Sequence, residues 1–158
     1  MNYYQKMPEL FREIESEILE ESHSKIRKRN REYIEFIRDA KFRFHVKEIY
    51  NYTCCISGMK VDPYYPIVEA CHIKPHGQFG IQGVRNGIAL CANLHKAFDN
   101  GLIGLSDEYA VLVSPKFQEE NTSYKIGQFI GKSILLPSNI NHYPSLESIG
   151  WHRKVFGL

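Results

Sequence analysis

Four polar side chains between residues 72 and 99 have types and spacing suited to binding a metal ion. Asn86 follows His72 by fourteen residues, His95 follows nine residues later, and Asp99 lies four residues beyond His95. If the last part of this stretch is helical, His95 and Asp99 lie on one face, one turn apart, and a divalent cation can bind both. The stretch therefore predicts part of a metal site.

The elements that position these side chains are predicted from local composition. Residues 69–73 form a short apolar run typical of a strand, which a proline and a glycine-rich turn bring to an end. An Asn-Gly pair at 86–87 indicates a turn, and residues 88–91 are again apolar. Residues 92–99 have helical composition. The predicted order is strand, loop, strand and helix, with the polar side chains converging at one end.

Three segments carry a family resemblance: HisIleLysPro (72–75), AsnGlyIleAlaLeuCys (86–91) and LeuHisLysAlaPheAsp (94–99). They resemble the HNH endonuclease superfamily with its ββα-metal fold, and within it the HNH domains of bacterial restriction-type nucleases. CysIleSerGly at 55–58 and HisArgLysValPhe at 152–156 extend the resemblance. It covers about residues 42–156, which is most of the chain.

The resemblance implies a role for each of the four polar residues. His72 is expected to be the general base that takes a proton from water. Asn86 is expected to hold the loop by hydrogen bonds to backbone, and His95 to bind the metal ion. Asp99 matches a position where some members place another ligand, although a turn residue before Asn100 is the alternative. The expected cofactor is a divalent ion, with Mg²⁺ as first candidate and Mn²⁺, Ni²⁺ or Zn²⁺ as others.

Cys71 departs from the family pattern. Many members have Asp or His immediately before the catalytic histidine, and that residue is a metal ligand. A thiolate there favours a soft metal such as zinc. Since neighbouring residues of a strand point to opposite faces, burial of Cys71 is the alternative. We expect burial, which leaves His95, Asp99, water and a DNA phosphate around the ion.

The other cysteines do not complete a structural zinc site. Many HNH proteins hold such a zinc with two CysXXCys knuckles, but Gly58 stands three residues after Cys55, and Leu94 stands three after Cys91. A closed tetrahedral site needs four ligands. We therefore expect no knuckle zinc, and we expect the cysteines to be small, buried, reduced residues: Cys54, Cys55 and Cys91.

Two groups of cations are candidate DNA contacts. One is a basic run near the start of the second predicted helix: Arg27, Lys28, Arg29 and Arg31. The other lies in the loop between the two strands of the predicted motif: Lys74, His76 and Arg85. Such groups can hold phosphates without reading sequence. The alternative is a solvated helix face and ordinary surface charge.

The predicted fold is α+β, a ββα-metal core with two N-terminal helices, extra β-strands and a C-terminal helix. The first helix is the amphipathic stretch 9–22, with six acidic residues, and the second runs to residue 49. Residues 101–105 and 109–115 predict a hairpin, and 125–137 predicts a short helix or turn and then a strand.

The last helix is predicted to begin after Ser145 as its N-cap, with Leu146, Ile149 and Val155 facing inward. His152 and Arg153 lie on it, and we expect them to serve packing, with DNA backbone contact as the alternative. We expect an N-terminal helical region at 1–50 and a nuclease domain at 51–158 that form one compact unit.

Composition limits the classes of protein that fit. A chain of 158 residues with 43% hydrophobic and 13% aromatic content can bury a core, which argues against disorder. There is no long apolar run and no signal-like start, so we expect a cytoplasmic protein without membrane contact. The net charge of +2 is too small to indicate nucleic-acid binding by itself.

These observations predict a metal-dependent endonuclease that hydrolyses DNA in restriction or defence. Because one ββα site cuts one strand, a homodimer is expected for duplex cleavage. Two other classes remain open: an inactive DNA-binding module, and a structural or protein-interaction domain.

Overall fold

The computed structural model describes residues 11–13, 27–60, 67–75, 83–121 and 123–158, without the side chains of 27–30. The chain divides into two compact units, Met1–Lys41 and Phe42–Leu158. Most of the predicted first helix, 9–22, lies outside the described residues, although 11–13 are helical. In the described part, no helix is both long enough and apolar enough to span a bilayer.

The second predicted helix is present as α1, Arg27–Ile49. It is rich in Arg, Lys and Glu, whose unbranched side chains lose little rotamer freedom in a helix. It ends where Asn51 and Tyr52 adopt positive φ angles of 49° and 55°. The amides of these two residues bond back to Glu48 and Lys47 carbonyls, as at helix C-termini that end in left-handed residues.

The central motif follows the predicted order. Strand β1, Val68–His72, pairs antiparallel with β2, Gly87–Cys91, in a register that places His72 opposite Gly87. Helix α2, Ala92–Asp99, follows β2 directly. Every residue of β2 is buried, because it lies in the centre of the core.

Gly87 permits the close approach of α1 to this hairpin. A Cβ atom there would lie 2.5 Å from a methyl carbon of Val46 and 2.7 Å from the ring of Phe42. Both distances are shorter than van der Waals contact. The absence of a side chain at position 87 therefore lets the last turns of α1 pack on β2.

A second hairpin is also present as predicted, formed by β3, Ile103–Leu105, and β4, Val111–Val113. The predicted strand within 125–137 is wrong. Residues Ile126–Phe129 form a 3-10 helix, and within the described part of the chain the rest makes one isolated bridge, between Ala110 and Ser133. The amide of Ile134 bonds to Tyr109, but the next amide bonds to Cys55, so this segment changes partner and no ladder continues.

The C-terminal helix α3, Leu146–Phe156, is present with Ser145 as its N-cap, whose side chain accepts a hydrogen bond from the Ser148 amide. The prediction of which residues of this helix face inward is partly wrong. Ile149 is buried, but Leu146 and Val155 are 46% and 53% exposed. Val155 follows Ile149 by six residues, which places it well around the helix.

His152, which is 2% exposed, faces the core together with Ile149. Its ring stacks on Phe98, with centroids 3.9 Å apart, and its Nε2 lies 3.0 Å from the Phe98 carbonyl oxygen. Arg153 bonds to the Leu105 carbonyl and to Asp107. The packing role expected for both residues is confirmed.

Candidate active site

The site is built on the two faces of β1. Glu69 and Cys71 are two residues apart and therefore share one face. Both contact α2, since Glu69 bonds to His95 and the Cys71 sulfur lies near Asp99. His72 is on the other face and contacts α1. The candidate base and the metal-binding group are therefore both attached to the end of β1.

His95 lies between two carboxylates. Its Nδ1 is 2.6 Å from Oε2 of Glu69, and its Nε2 is 3.4 Å from Oδ2 of Asp99. A proton on Nδ1 that is donated to Glu69 leaves Nε2 with its lone pair, as a metal ligand requires. Glu69 was not identified from the sequence. In the sequence, a charged residue within a strand gives the same pattern whether its side chain faces solvent or contacts a histidine.

Cys71 is fully buried, as expected, but burial does not remove it from the site. Its thiol has two acceptors within hydrogen-bond distance, the His72 carbonyl oxygen at 3.6 Å and Oδ1 of Asp99 at 3.7 Å. Burial raises the pKa of this thiol, and the charge of Asp99 raises it further. In the structure as it stands, Cys71 is therefore a neutral thiol directed at a carboxylate.

Three potential ligand atoms meet at this point. One atom each from Cys71, His95 and Asp99 lies within 4.8 Å of the other two. Sulfur, imidazole nitrogen and carboxylate oxygen are the ligands that divalent transition metals use in proteins. Because the side chains of His95 and Asp99 are 22% and 49% exposed, an ion could be reached from solvent. The residues fit a divalent metal ion.

His72 ends β1, and its ring stacks on Phe42 of α1. The centroids are 3.7 Å apart and the planes are within 9° of parallel. The Nε2 atom of His72 is buried. Phe42 was missed by the sequence reasoning, because its position in an apolar helical pattern predicts burial but not which ring it meets. The contact fixes the plane of the imidazole.

Asn86 makes the type of hydrogen bonds expected of it. Its Oδ1 accepts from the Lys74 amide and its Nδ2 donates to the Lys74 carbonyl, both over 3.0 Å. The Ile73 amide bonds to the Asn86 carbonyl. Asn86 is 2% exposed. These bonds close the loop at the point where the chain leaves His72.

The candidate cations of the interstrand loop differ in their surroundings. Lys74 is buried, and its ammonium donates to Oε1 of Glu147 over 2.6 Å, which lowers the pKa of Glu147. Arg85 donates from Nε to the Tyr143 carbonyl. His76 lies outside the described residues. Their roles as DNA contacts stay predictions.

The basic run of α1 belongs to the other unit of the chain. Arg31 is exposed, whereas the side chains of the remaining three residues lie outside the description: Arg27, Lys28 and Arg29. The structure therefore brings together one group from the sequence prediction, His95 with Asp99, next to the strand that carries His72. It adds Glu69 and Cys71 to this group.

The predicted burial of the other three cysteines is confirmed, since none is more than 5% exposed. Two of them meet polar partners. Cys54 accepts a hydrogen bond from the Ser57 amide, and the Cys91 thiol lies 3.0 Å from Oδ1 of Asn93 and 3.9 Å from the Ser57 hydroxyl.

Comparison with known proteins agrees with this geometry. Residues 54–106 match the family model described as HNH endonuclease. A solved structure titled "Modification dependent TagI restriction endonuclease" is similar at 25% identity with a TM-score of 0.58. The match covers 73% of this chain and 37% of that one, so this chain spans little more than a third of the neighbour's length. No curated protein matches the sequence.

Residues 54–106 therefore form a domain of the HNH endonuclease type, and the fold around it is similar to that of a restriction endonuclease. The matched residues contain β1, β2, α2 and β3, and with them His72, Asn86, His95 and Asp99. The α+β fold is therefore that of a nuclease domain with additional helices.

Proposed function

We propose that this chain is a metal-dependent endonuclease that hydrolyses DNA phosphodiester bonds in restriction or defence. The observation that carries the proposal is the arrangement around β1. His72 directly follows Cys71, so the candidate base and the group of metal-binding atoms belong to one short strand. The match of residues 54–106 to the HNH endonuclease family model supports nuclease chemistry for this arrangement.

His72 is the proposed general base. Its neutral imidazole accepts the proton of the water that attacks the phosphorus atom. Phe42 holds the ring plane by stacking, and Asn86 holds the loop that follows the histidine. Both residues act by positioning, because a base must lie within hydrogen-bond reach of the proton that it removes.

His95 and Asp99 are proposed to hold the ion, and Glu69 keeps the proton of His95 on Nδ1. When bound, a divalent ion supplies positive charge next to the phosphate and the leaving 3′ oxygen. The proton is transferred by His72, which Phe42 and Asn86 keep in position. The ions to compare are Mg²⁺, Mn²⁺, Ni²⁺ and Zn²⁺.

The proposed DNA contacts are two groups of cations, one in the interstrand loop and one at the start of α1. The Lys74 ammonium has three donors, one of which is used by Glu147, so a phosphate would share Lys74 with Glu147 or replace it. Arg85 is next to Asn86 and is the second contact. The remaining proposed contacts come from the loop and from the start of α1: His76, Arg27, Lys28, Arg29 and Arg31. Such contacts add affinity that falls with salt.

Three further parts of the proposal concern assembly and setting. We propose that two copies form a homodimer, since one site cuts one strand. We propose a division into a helical region at 1–50 and a nuclease domain at 51–158, and a location in the cytoplasm. Family resemblance implies ends with a 3′-hydroxyl and a 5′-phosphate.

The structural neighbour is described as modification dependent, and we include modified DNA among the proposed substrates. The experiment is an assay on supercoiled plasmid, unmodified and base-modified, with each of the four ions or with EDTA. DNA binding at moderate salt is measured in parallel. We expect nicking or linearisation that needs a metal ion.

Two results would replace the proposal with another function. Binding to DNA without cleavage under any ion would indicate an inactive DNA-binding module. Neither binding nor cleavage would indicate a structural or protein-interaction domain.

A further inference from the structure

We propose that Cys71 is a third protein ligand of the ion, and that its sulfur makes the centre prefer Zn²⁺ and chemically similar ions over Mg²⁺. The inference rests on the proposed function for the presence of a metal ion at this site. It goes further by naming the ligand set and the class of ion. The first support is position, because the buried sulfur is directed at Asp99 rather than into the apolar core alone.

Two distances between potential ligand atoms are close to those of a tetrahedral zinc site. Zinc lies about 2.3 Å from sulfur and about 2.0–2.2 Å from nitrogen or oxygen, so a tetrahedral angle separates sulfur from oxygen by about 3.6 Å and nitrogen from oxygen by about 3.4 Å. In the structure, the Cys71 sulfur is 3.7 Å from Oδ1 of Asp99. Nε2 of His95 is 3.4 Å from Oδ2 of the same carboxylate. These two distances involve different oxygens of Asp99, and one atom from each of the three residues lies within 4.8 Å of the other two. Binding of one ion would therefore draw the three ligand atoms closer together.

The chemistry of the three ligands also favours this class of ion. Mg²⁺ prefers six oxygen ligands in near-ideal octahedral geometry, and sulfur is a poor ligand for it. One sulfur, one nitrogen and one oxygen suit Zn²⁺, Co²⁺ or Cd²⁺. Three protein ligands leave the fourth position of a tetrahedral ion for water or substrate, as catalytic zinc sites require.

A different role for Cys71 makes different predictions. If the thiol only packs in the core and bonds to Asp99, its replacement by serine should leave the environment of a bound ion unchanged. If it is a ligand, the spectrum of the ion should report the sulfur directly. Cobalt is the suitable probe, because a thiolate bound to Co²⁺ gives an intense charge-transfer absorption in the near ultraviolet.

The experiment is a titration of the full chain with Co²⁺, followed by absorbance. We expect a thiolate charge-transfer band at one equivalent, with visible bands typical of tetrahedral cobalt. Cys71→Ser should lose the charge-transfer band and bind the ion at least about 100-fold more weakly, because outer partners of a ligand are already worth about 10–100-fold. Cys91→Ser is the matched control and should keep the band.

A measurement on the unaltered chain does not depend on the folding of a variant. Zn²⁺ should abolish the cobalt band at about one equivalent, whereas a large excess of Mg²⁺ should not. Cys71→Asp should bind ions without the band and should gain affinity for Mg²⁺ and Mn²⁺. The proposal is overturned if wild type binds Co²⁺ without the band, if Cys71→Ser retains it, or if Mg²⁺ displaces cobalt readily.

These readouts separate the inference from the proposed function. A cobalt band without DNA cleavage would retain Cys71 as a ligand and contradict the nuclease activity. Cleavage supported by Mg²⁺, with no thiolate band under any condition, would retain the nuclease and contradict the role of Cys71.

Discussion

Replacing Glu69 by glutamine tests how the site orients its histidine. The carboxylate accepts a charge-assisted hydrogen bond from Nδ1 of His95 over 2.6 Å. Such bonds contribute about 1.5–3 kcal/mol, and the 53% exposure of the Glu69 side chain reduces this to about 1–2 kcal/mol. Glutamine keeps the size of the side chain but removes the charge. We therefore expect Glu69→Gln to weaken metal binding about 5–30-fold.

The assay is calorimetric titration of wild type and Glu69→Gln with Zn²⁺ and Mn²⁺, with Glu120→Gln as matched control. Glu120 is an exposed glutamate outside the site and should have no effect. Nuclear magnetic resonance of the His95 ring nitrogens should also show a change of tautomer population in Glu69→Gln. Equal affinities in wild type and Glu69→Gln would refute the role of Glu69 in orienting His95.

Two further predictions concern the fold that supports the site. Gly87→Ala should lower the free energy of unfolding by about 1–3 kcal/mol in a denaturant titration, because the added carbon would overlap side chains of α1. Gly83→Ala, where no atom of the described residues lies within 4 Å of the added carbon, should be nearly neutral, and equal effects of the two changes would contradict this packing. Burial lowers the pKa of His152, so the unfolded chain takes up this proton more readily than the folded chain. The contribution of neutral, buried His152 to the free energy of unfolding should therefore be complete above the pKa of the unfolded chain, about 6.5. It should decrease as the pH falls below that value. Melting curves at about pH 7.5 and 5 should show a smaller loss for His152→Gln than for wild type.

Much of the central motif could be predicted from sequence, because its signals are local. The apolar runs, the Asn-Gly pair and the helical composition of 92–99 give β1, β2 and α2 in the right order. The strand predicted within 125–137 fails for a tertiary reason, since its amides change partner from Tyr109 to Cys55.

The parts of the site that sequence reasoning missed depend on contacts between distant segments. Glu69 and His95 are 26 residues apart in the chain, and Lys74 and Glu147 are 73 apart. No local pattern predicts such pairs. Glu69 had one usable signal, because its spacing of two from Cys71 places it on the same face of a strand.

The central claim is that His72 is the base of a nuclease, and plasmid cleavage by His72→Ala tests it most directly. The assay compares wild type, His72→Ala and His45→Ala, an exposed histidine of α1, under the ion that supports the fastest cleavage. Cobalt titration confirms that each variant still binds metal. We predict that His72→Ala loses about 10²–10⁴-fold in rate while His45→Ala keeps wild-type activity. Cleavage by His72→Ala at the wild-type rate would contradict the account.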